Sequence, residues 1–350
     1  RRQRQMCIRD RVEGILYYPF EYERGKKYPL VLSIHGGPTG YDMDRWDQSY
    51  AYPKLLLAQR GAFILEVNYH GSGNYGLEWV ESICCGSYYD LERVDLESGV
   101  DHVIQLGLAD AKRLGSTGWS NGAILTTELV TRTNRFKVAS AGAGDVEWIS
   151  DWGNVDFGAS FDNYYFGAAP FEDPDLYIRK SPYFRLKDVT TPTILFTGTE
   201  DRNVPPSQSW SHFRVMQQVG QTPVRLVLFP GEPHGLQKYV HQRRKVEEDL
   251  AWFDQHLFGR PVSLPVLKEG SPLSAALQRA GFARAGALYG RKPKRTLLPE
   301  AVAWGHLRLS RFEVTRAQYV AFDPEYEYPS GTGNYAASGI TFEQAKAYAA

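Results

Sequence analysis

Six short runs rich in β-branched and aromatic residues recur along the chain, separated by longer stretches of helical periodicity. They are YPLVLSIH (28–35), AFILEVNY (62–69), RLGSTGW (113–119), FKVASAGA (136–143), PTILFTG (192–198) and PVRLVLF (223–229). Most are continuously apolar rather than alternating, as strands covered on both faces must be. Strands alternating with helices require a mostly parallel central sheet flanked by helices, an α/β architecture. Between them, DLERVDLESGVDHVIQLG places Leu91, Val94, Val103 and Ile104 at helical spacing, and KVEEDLAWFDQHLFG does the same with Val246, Leu250, Phe253 and Leu257. Both stripes are expected to face the core.

The alternation runs over 12–260. Residues 1–11, RRQRQMCIRDR, resemble the conceptual translation of a sequencing-library adapter and are set aside from fold reasoning. Their five Arg and one Asp leave about −4 for the remainder of a chain whose net charge is +0. That balance gives no reason to expect nucleic acid as a partner. No apolar run is long enough to span a membrane. Residues 261–304 are rich in Pro, Gly and basic residues without a sustained period, and read as a linker. A partial second α+β unit is expected over 305–350. The abrupt start and the ending AKAYAA within a helical pattern suggest a fragment, so no compartment is assigned. Of 3 cysteines, Cys84 and Cys85 are neighbours and Cys7 lies in the first segment, which is neither a disulfide framework nor a metal-ligand spacing.

GWSNGA (118–123) places Ser120 between the run RLGSTGW and the helical stretch NGAILTTELVTR. With 33 glycines, a Gly-x-Ser-x-Gly match arises by chance in about one such chain in six. A strand-to-helix turn is, however, the context a nucleophile elbow requires: the serine is exposed on a strained turn and the glycines let strand and helix approach. A serine attacks a carbonyl at neutral pH only with a base to take its proton and an acid to orient that base. Asp201, in TEDRNVPP after PTILFTG, and His234, in FPGEPHGL after PVRLVLF, supply them in the hydrolase order Ser, Asp, His. Of eight histidines only His234 fits that order; His35, His70, His102, His212, His241, His256 and His306 read as packing or surface residues. Oxyanion donors are expected from the backbone N–H of Asn121 and from the Gly-rich HGGP (35–38). Trp119 has no assigned role. No cofactor or metal is implied.

The signposts YPLVLSIHGGP, NYHGSGNYG, GWSNGA, SPYFRLKDVTTPTILFTGTEDRNVP and FPGEPHG, taken together, resemble the catalytic domain of the prolyl oligopeptidase family of serine peptidases, with its acylaminoacyl-peptidase and dipeptidyl-peptidase-like branches. The resemblance covers 12–258. It implies an α/β-hydrolase fold and peptidase activity on short peptides, with Ser120 as nucleophile, Asp201 as orienting acid, His234 as base, and Gly37 with Asn121 as oxyanion donors. It also implies a β-propeller upstream. Two departures bear on substrate choice: the family often has Arg where Asn203 and His70 stand. The aromatic segment EWISDWGNVDFGASFDNYYFG occupies the place where the family walls its acyl-side pocket, making Trp148, Trp152, Phe157 and Phe161 pocket candidates as well as core candidates. An esterase using the same triad and a non-catalytic binding protein are the alternatives. LSRFEVTRAQYVAF and GITFEQAKAYAA resemble, more weakly, the start of a formylglycine-generating-enzyme (sulfatase-modifying factor) domain, without its catalytic positions.

Overall fold

The computed structural model describes residues 2–6, 12–45, 49–260, 301–304, 307–310, 314, 316–320, 322–327 and 337–349. The chain divides into two compact units, Arg1–Val262 and Ser263–Ala350. The first carries an eight-stranded sheet of β1 (Arg2–Met6), β2 (Glu13–Tyr17), β3 (Tyr28–Ile34), β4 (Phe63–Asn68), β5 (Ala109–Trp119), β6 (Phe136–Gly142), β7 (Thr193–Gly198) and β8 (Val224–Phe229), in the order β1-β2-β4-β3-β5-β6-β7-β8. From β4 to β8 every pairing is parallel, while β2 joins β4 and β1 joins β2 antiparallel. The parallel centre is the sheet expected from the six apolar runs, and the whole is the α/β-hydrolase arrangement that the resemblance implies.

Successive strand residues go to opposite layers, as the pleat requires. On one face Leu30, Leu32, Ile34, Phe63, Leu65 and Val67 pack with α3 (Asp90–Gln105) and α4 (Asn121–Arg132). On the other, Val31, Ile64, Val138, Ile194 and Phe196 pack with α1 (Lys54–Gln59) and with the last helix of this unit, Tyr239–His256. Parallel strands at the sheet centre therefore bury both sets, and β3 is buried along its whole length.

Three expectations need correction. Leu91 and Val94 are 37% and 48% exposed, so they do not face the core. The inward face of α3 is instead Glu92, Asp95, Leu96, Val100 and Val103. Periodicity of apolar residues alone misplaces that face, because Asp95 turns inward to accept the His70 backbone N–H at 2.8 Å and to meet its Nδ1 at 2.6 Å. The segment set aside at the start contributes β1, at the sheet edge. Cys84 and Cys85, for which no bridge was expected, are joined to each other.

The second unit has an antiparallel pair, β9 (Ala301–Trp304) and β10 (Leu307–Ser310), and helices over Arg316–Val320 and Phe342–Ala349. β9 falls within the stretch read as linker, whose remainder, 261–300, lies outside the described residues, as does His306.

Candidate active site

β5 ends at Trp119 and α4 starts at Asn121, leaving Ser120 alone on the turn at φ 58°, ψ −128°. A side-chain-bearing residue in such a region costs roughly 1–3 kcal/mol and persists only when its surroundings fix it. Here the Ser120 N–H donates to Gly142 O at 2.8 Å, and the Ser120 carbonyl accepts from Ala123 and Ile124 at 2.8 and 3.1 Å. The two flanking glycines are required by space. A Cβ on Gly118 would overlap the Gly122 carbonyl, and one on Gly122 would overlap the carbonyl of Ile34 on β3.

Asp201 lies just past β7, ahead of α8 (Pro206–Val219), and is 4% exposed. Its Oδ1 accepts the backbone N–H of Asn203 and of Val204, both at 2.9 Å, which aims Oδ2 at His234 Nδ1, 2.8 Å away. His234 Nε2 is 2.9 Å from Ser120 Oγ. With the Nδ1 proton held by the carboxylate, Nε2 is the acceptor and the Ser120 hydroxyl the donor. The three residues singled out in sequence thus form one hydrogen-bonded line at the C-terminal edge of the parallel strands, the edge where ligands bind in open α/β sheets.

Residues that no sequence motif signals hold the His234 loop. The Trp119 indole N–H donates to His234 O at 2.9 Å, across 115 positions of sequence. The Tyr50 hydroxyl accepts the Leu236 N–H at 2.7 Å. Glu232 accepts from the Gln237 and Lys238 amides at 2.6 and 3.1 Å and meets His241 Nδ1 at 2.5 Å. Burial alone would raise the Glu232 carboxyl, but those donors hold it below its ordinary range. His241 therefore has a bracing role.

The Asn121 side chain donates to the Tyr69 hydroxyl at 2.9 Å and accepts from Tyr88, fixing the first turn of α4. Tyr69 in turn donates to His35 O at 2.9 Å and stacks on the His35 ring. His35 Nε2 lies 2.9 Å from Ser72 Oγ, and burial pushes its imidazole down to about 4, so His35 is a neutral structural residue at neutral pH. His70 is tied to Asp95 and stacked on Trp79.

Gly37 and Asn121 line the same cavity, of about 350 Å³, as Ser120 and His234. Its far wall is the segment after β6. Trp148, Phe157 and Phe161 line it, whereas Trp152 packs on Phe171 instead. Asn203, one of the two positions where the family often has Arg, also lines the cavity. Gln208 on α8 orders this wall: its Oε1 accepts the Val146 and Glu147 amides at 3.0 and 2.9 Å, and its Nε2 donates to Glu147 O at 2.9 Å. Glu147 caps the following helix, Trp148–Asn154, through Ile149 and Ser150. Two further lining residues, Asp145 and Asp151, are carboxyls that sequence reading passed over among the aromatics. Burial, then repulsion by Asp151 and a hydrogen bond donated to it, raises Asp145 well above the carboxylate range, and burial, offset in part by that hydrogen bond, brings Asp151 up to about 7. Among the described residues no group of three His, Cys, Asp or Glu side chains is placed to hold a metal ion. Nor is any described helix long and apolar enough to cross a membrane.

The family model "Prolyl oligopeptidase family" matches residues 48–260, which is most of the chain. The chain belongs to the prolyl oligopeptidase family. Within it, the chain is 33% identical over 250 residues to the uncharacterized peptidase YuxL of Bacillus subtilis, covering 70% of this chain and 37% of that protein. It is 30% identical over 244 residues to the acylamino-acid-releasing enzyme of Arabidopsis thaliana, covering 67% and 31%. Among solved structures, an acylaminoacyl peptidase in complex with Z-Gly-Gly-Phe-chloromethyl ketone superposes with a TM-score of 0.68 at 27% identity, covering 76% of this chain and 43% of that one. The chain thus spans about a third of the length of the curated family members it matches.

Proposed function

We propose that this prolyl oligopeptidase family chain is a serine peptidase that cleaves short peptides through an acyl-enzyme on Ser120. The observation that carries the reading is the continuous line from Ser120 Oγ through His234 to Asp201, at 2.9 and 2.8 Å. As Ser120 attacks the scissile carbonyl, His234 Nε2 takes its proton and then delivers it to the leaving amine. Asp201 keeps the imidazole in the correct tautomer and steadies the imidazolium. The backbone N–H groups of Gly37 and Asn121 are assigned to the developing oxyanion, at the positive end of α4. A water enters after the amine departs, and His234 repeats its role to release the acid.

Support for the peptidase reading comes from family membership and from the acylaminoacyl peptidases among the similar proteins. The test is turnover of a peptidyl p-nitroanilide beside the matching p-nitrophenyl ester. Both substrates are expected to be hydrolysed, with a burst on the ester as the acyl-enzyme accumulates. Ester turnover with no anilide turnover would replace the reading by that of an esterase.

For the second unit we infer a separate module of the sulfatase-modifying-factor kind, supported by the motifs quoted above, with no activity assigned to it. Limited proteolysis is expected to cut within 261–300 and to leave a trimmed first unit that still hydrolyses substrate.

A further inference from the structure

We infer that the acyl-side pocket is built for an organic cation: an alkylammonium or guanidinium on the acyl residue, received by Asp145 and Asp151. The inference rests on Ser120 being the nucleophile and goes on to name the class of substrate it acylates from. Asp145 and Asp151 line the cavity that opens at Ser120, and they are 4% and 2% exposed. Each has a carboxylate oxygen, Oδ1, that is shut off from solvent and has no hydrogen-bond partner. The two carboxyls share a hydrogen bond, Asp145 donating to Asp151, and that mutual contact is the only partner the cavity wall gives them among the described residues; buried polar atoms are nearly always paired, so an entering donor would complete the pair.

Charge says what that donor is. No Lys or Arg lines the cavity; the charges acting on Asp145 are those of Asp151, Asp162 and Asp201, all acidic. The neighbouring Asp162 is fully buried, and both of its oxygens are also unpaired. Burial keeps protons on this cluster, so an entering cation takes the place of the proton between Asp145 and Asp151, which leaves to water. A metal ion does not suit the cluster, since no group of three ligating side chains is arranged for one among the described residues. The rest of the wall fits a cation on an apolar stem. Trp148 and Phe161 stack with ring centroids 6.4 Å apart, and Phe157 meets Phe161 edge-on at 5.6 Å. Aromatic faces hold methylene groups and attract a cation beside them. The cavity volume of about 350 Å³ accommodates a side chain of Lys or Arg size.

Two sources can present such a cation: the acyl residue's side chain, or its free α-amine. Four N-acetyl aminoacyl p-nitroanilides separate charge from shape, Lys against norleucine and Arg against citrulline, and free norleucine p-nitroanilide reports on the α-amine. The inference expects kcat/KM for one cationic source to exceed its neutral counterpart by about thirtyfold or more. In Asp151→Asn and Asp145→Asn that ratio falls toward one; being a ratio within one protein, it is insensitive to a general loss of folded enzyme. Equal rates for charged and neutral partners in the wild-type chain, with Ser120 still labelled by a fluorophosphonate, would overturn the inference and leave the proposed peptidase intact. Absence of labelling would instead strike the peptidase reading. Benzamidine against benzamide, measured by calorimetry, then decides the pocket without catalysis. Selective benzamidine binding that is lost in Asp151→Asn supports the cation pocket, and equal or absent binding of both overturns it.

Discussion

Asp201→Asn isolates what the carboxylate does for His234. In the native site Oδ1 holds two backbone amides at 2.9 Å and Oδ2 faces His234 Nδ1 at 2.8 Å. An asparagine keeps its carbonyl oxygen on the two amides, because no other acceptor is offered to them there. Its amide nitrogen then faces Nδ1 and must donate to it. The proton moves to Nε2, and the nitrogen 2.9 Å from Ser120 Oγ can no longer accept the hydroxyl proton. All three hydrogen bonds survive in number, so Tm should move little, while kcat on a peptidyl anilide should fall by about 10⁴, or about 5.5 kcal/mol in the barrier. Asp201→Ala abandons all three bonds and should lower Tm as well. Steady-state kinetics and thermal melts on the two variants decide the matter. A loss in Asp201→Asn of less than about tenfold, with folding intact, would refute the tautomer argument.

Other residues yield their own tests. Trp119→Phe removes the indole donor to His234 O and should lower kcat about five- to tenfold with KM little changed, as a lost hydrogen bond of about 1 kcal/mol implies; an unchanged kcat would remove Trp119 from the account. Gln208→Ala leaves the Val146 and Glu147 amides without their acceptor and should cost about 2–3 kcal/mol in urea unfolding and raise KM, and wild-type values for both would contradict that role. The pH dependence of stability has a definite sign at Asp162, whose carboxyl is pushed up to about 9 by burial and then by Asp151. The folded chain keeps this proton where the unfolded chain, titrating near 4, has released it. Its stabilising share is therefore whole below about pH 4 and is lost as pH rises through 9. Glu92, pushed up to about 8 by burial, acts in the same direction. Tm should decline from pH 7 to 9, and Asp162→Asn should flatten that decline by about 2–3 kcal/mol across the interval; an identical slope in the variant would contradict the assignment.

The central parallel strands were legible because a strand covered on both faces has to be apolar at consecutive positions, as YPLVLSI of β3 is. β2, EGILY, was not: it is short, carries Glu13 and Gly14 at its start, and earns its place by antiparallel pairing with β4 rather than by composition. The inward face of α3 was misread for a related reason, since Glu92 and Asp95 sit where a hydrophobic stripe was sought. Ser120, Asp201 and His234 were legible because each follows a recognisable strand, and fold topology brings those strand ends to one edge. Trp119 was invisible because its partner is a backbone carbonyl, which leaves no mark in sequence. Asp145 and Asp151 were hidden differently. Nothing in GDVEWISDWG tells a surface carboxylate from one buried in a pocket wall until the Gln208 bracket and the packing of Trp148 and Phe161 are known.

The most direct measurement is peptide mapping of the chain after reaction with a fluorophosphonate, whose phosphorus is attacked only by an activated nucleophile. A single adduct on Ser120, formed at a rate that falls steeply in His234→Ala and absent in Ser120→Ala, is the result the account predicts. An adduct on another residue, or labelling and anilide turnover that persist in Ser120→Ala, would contradict it.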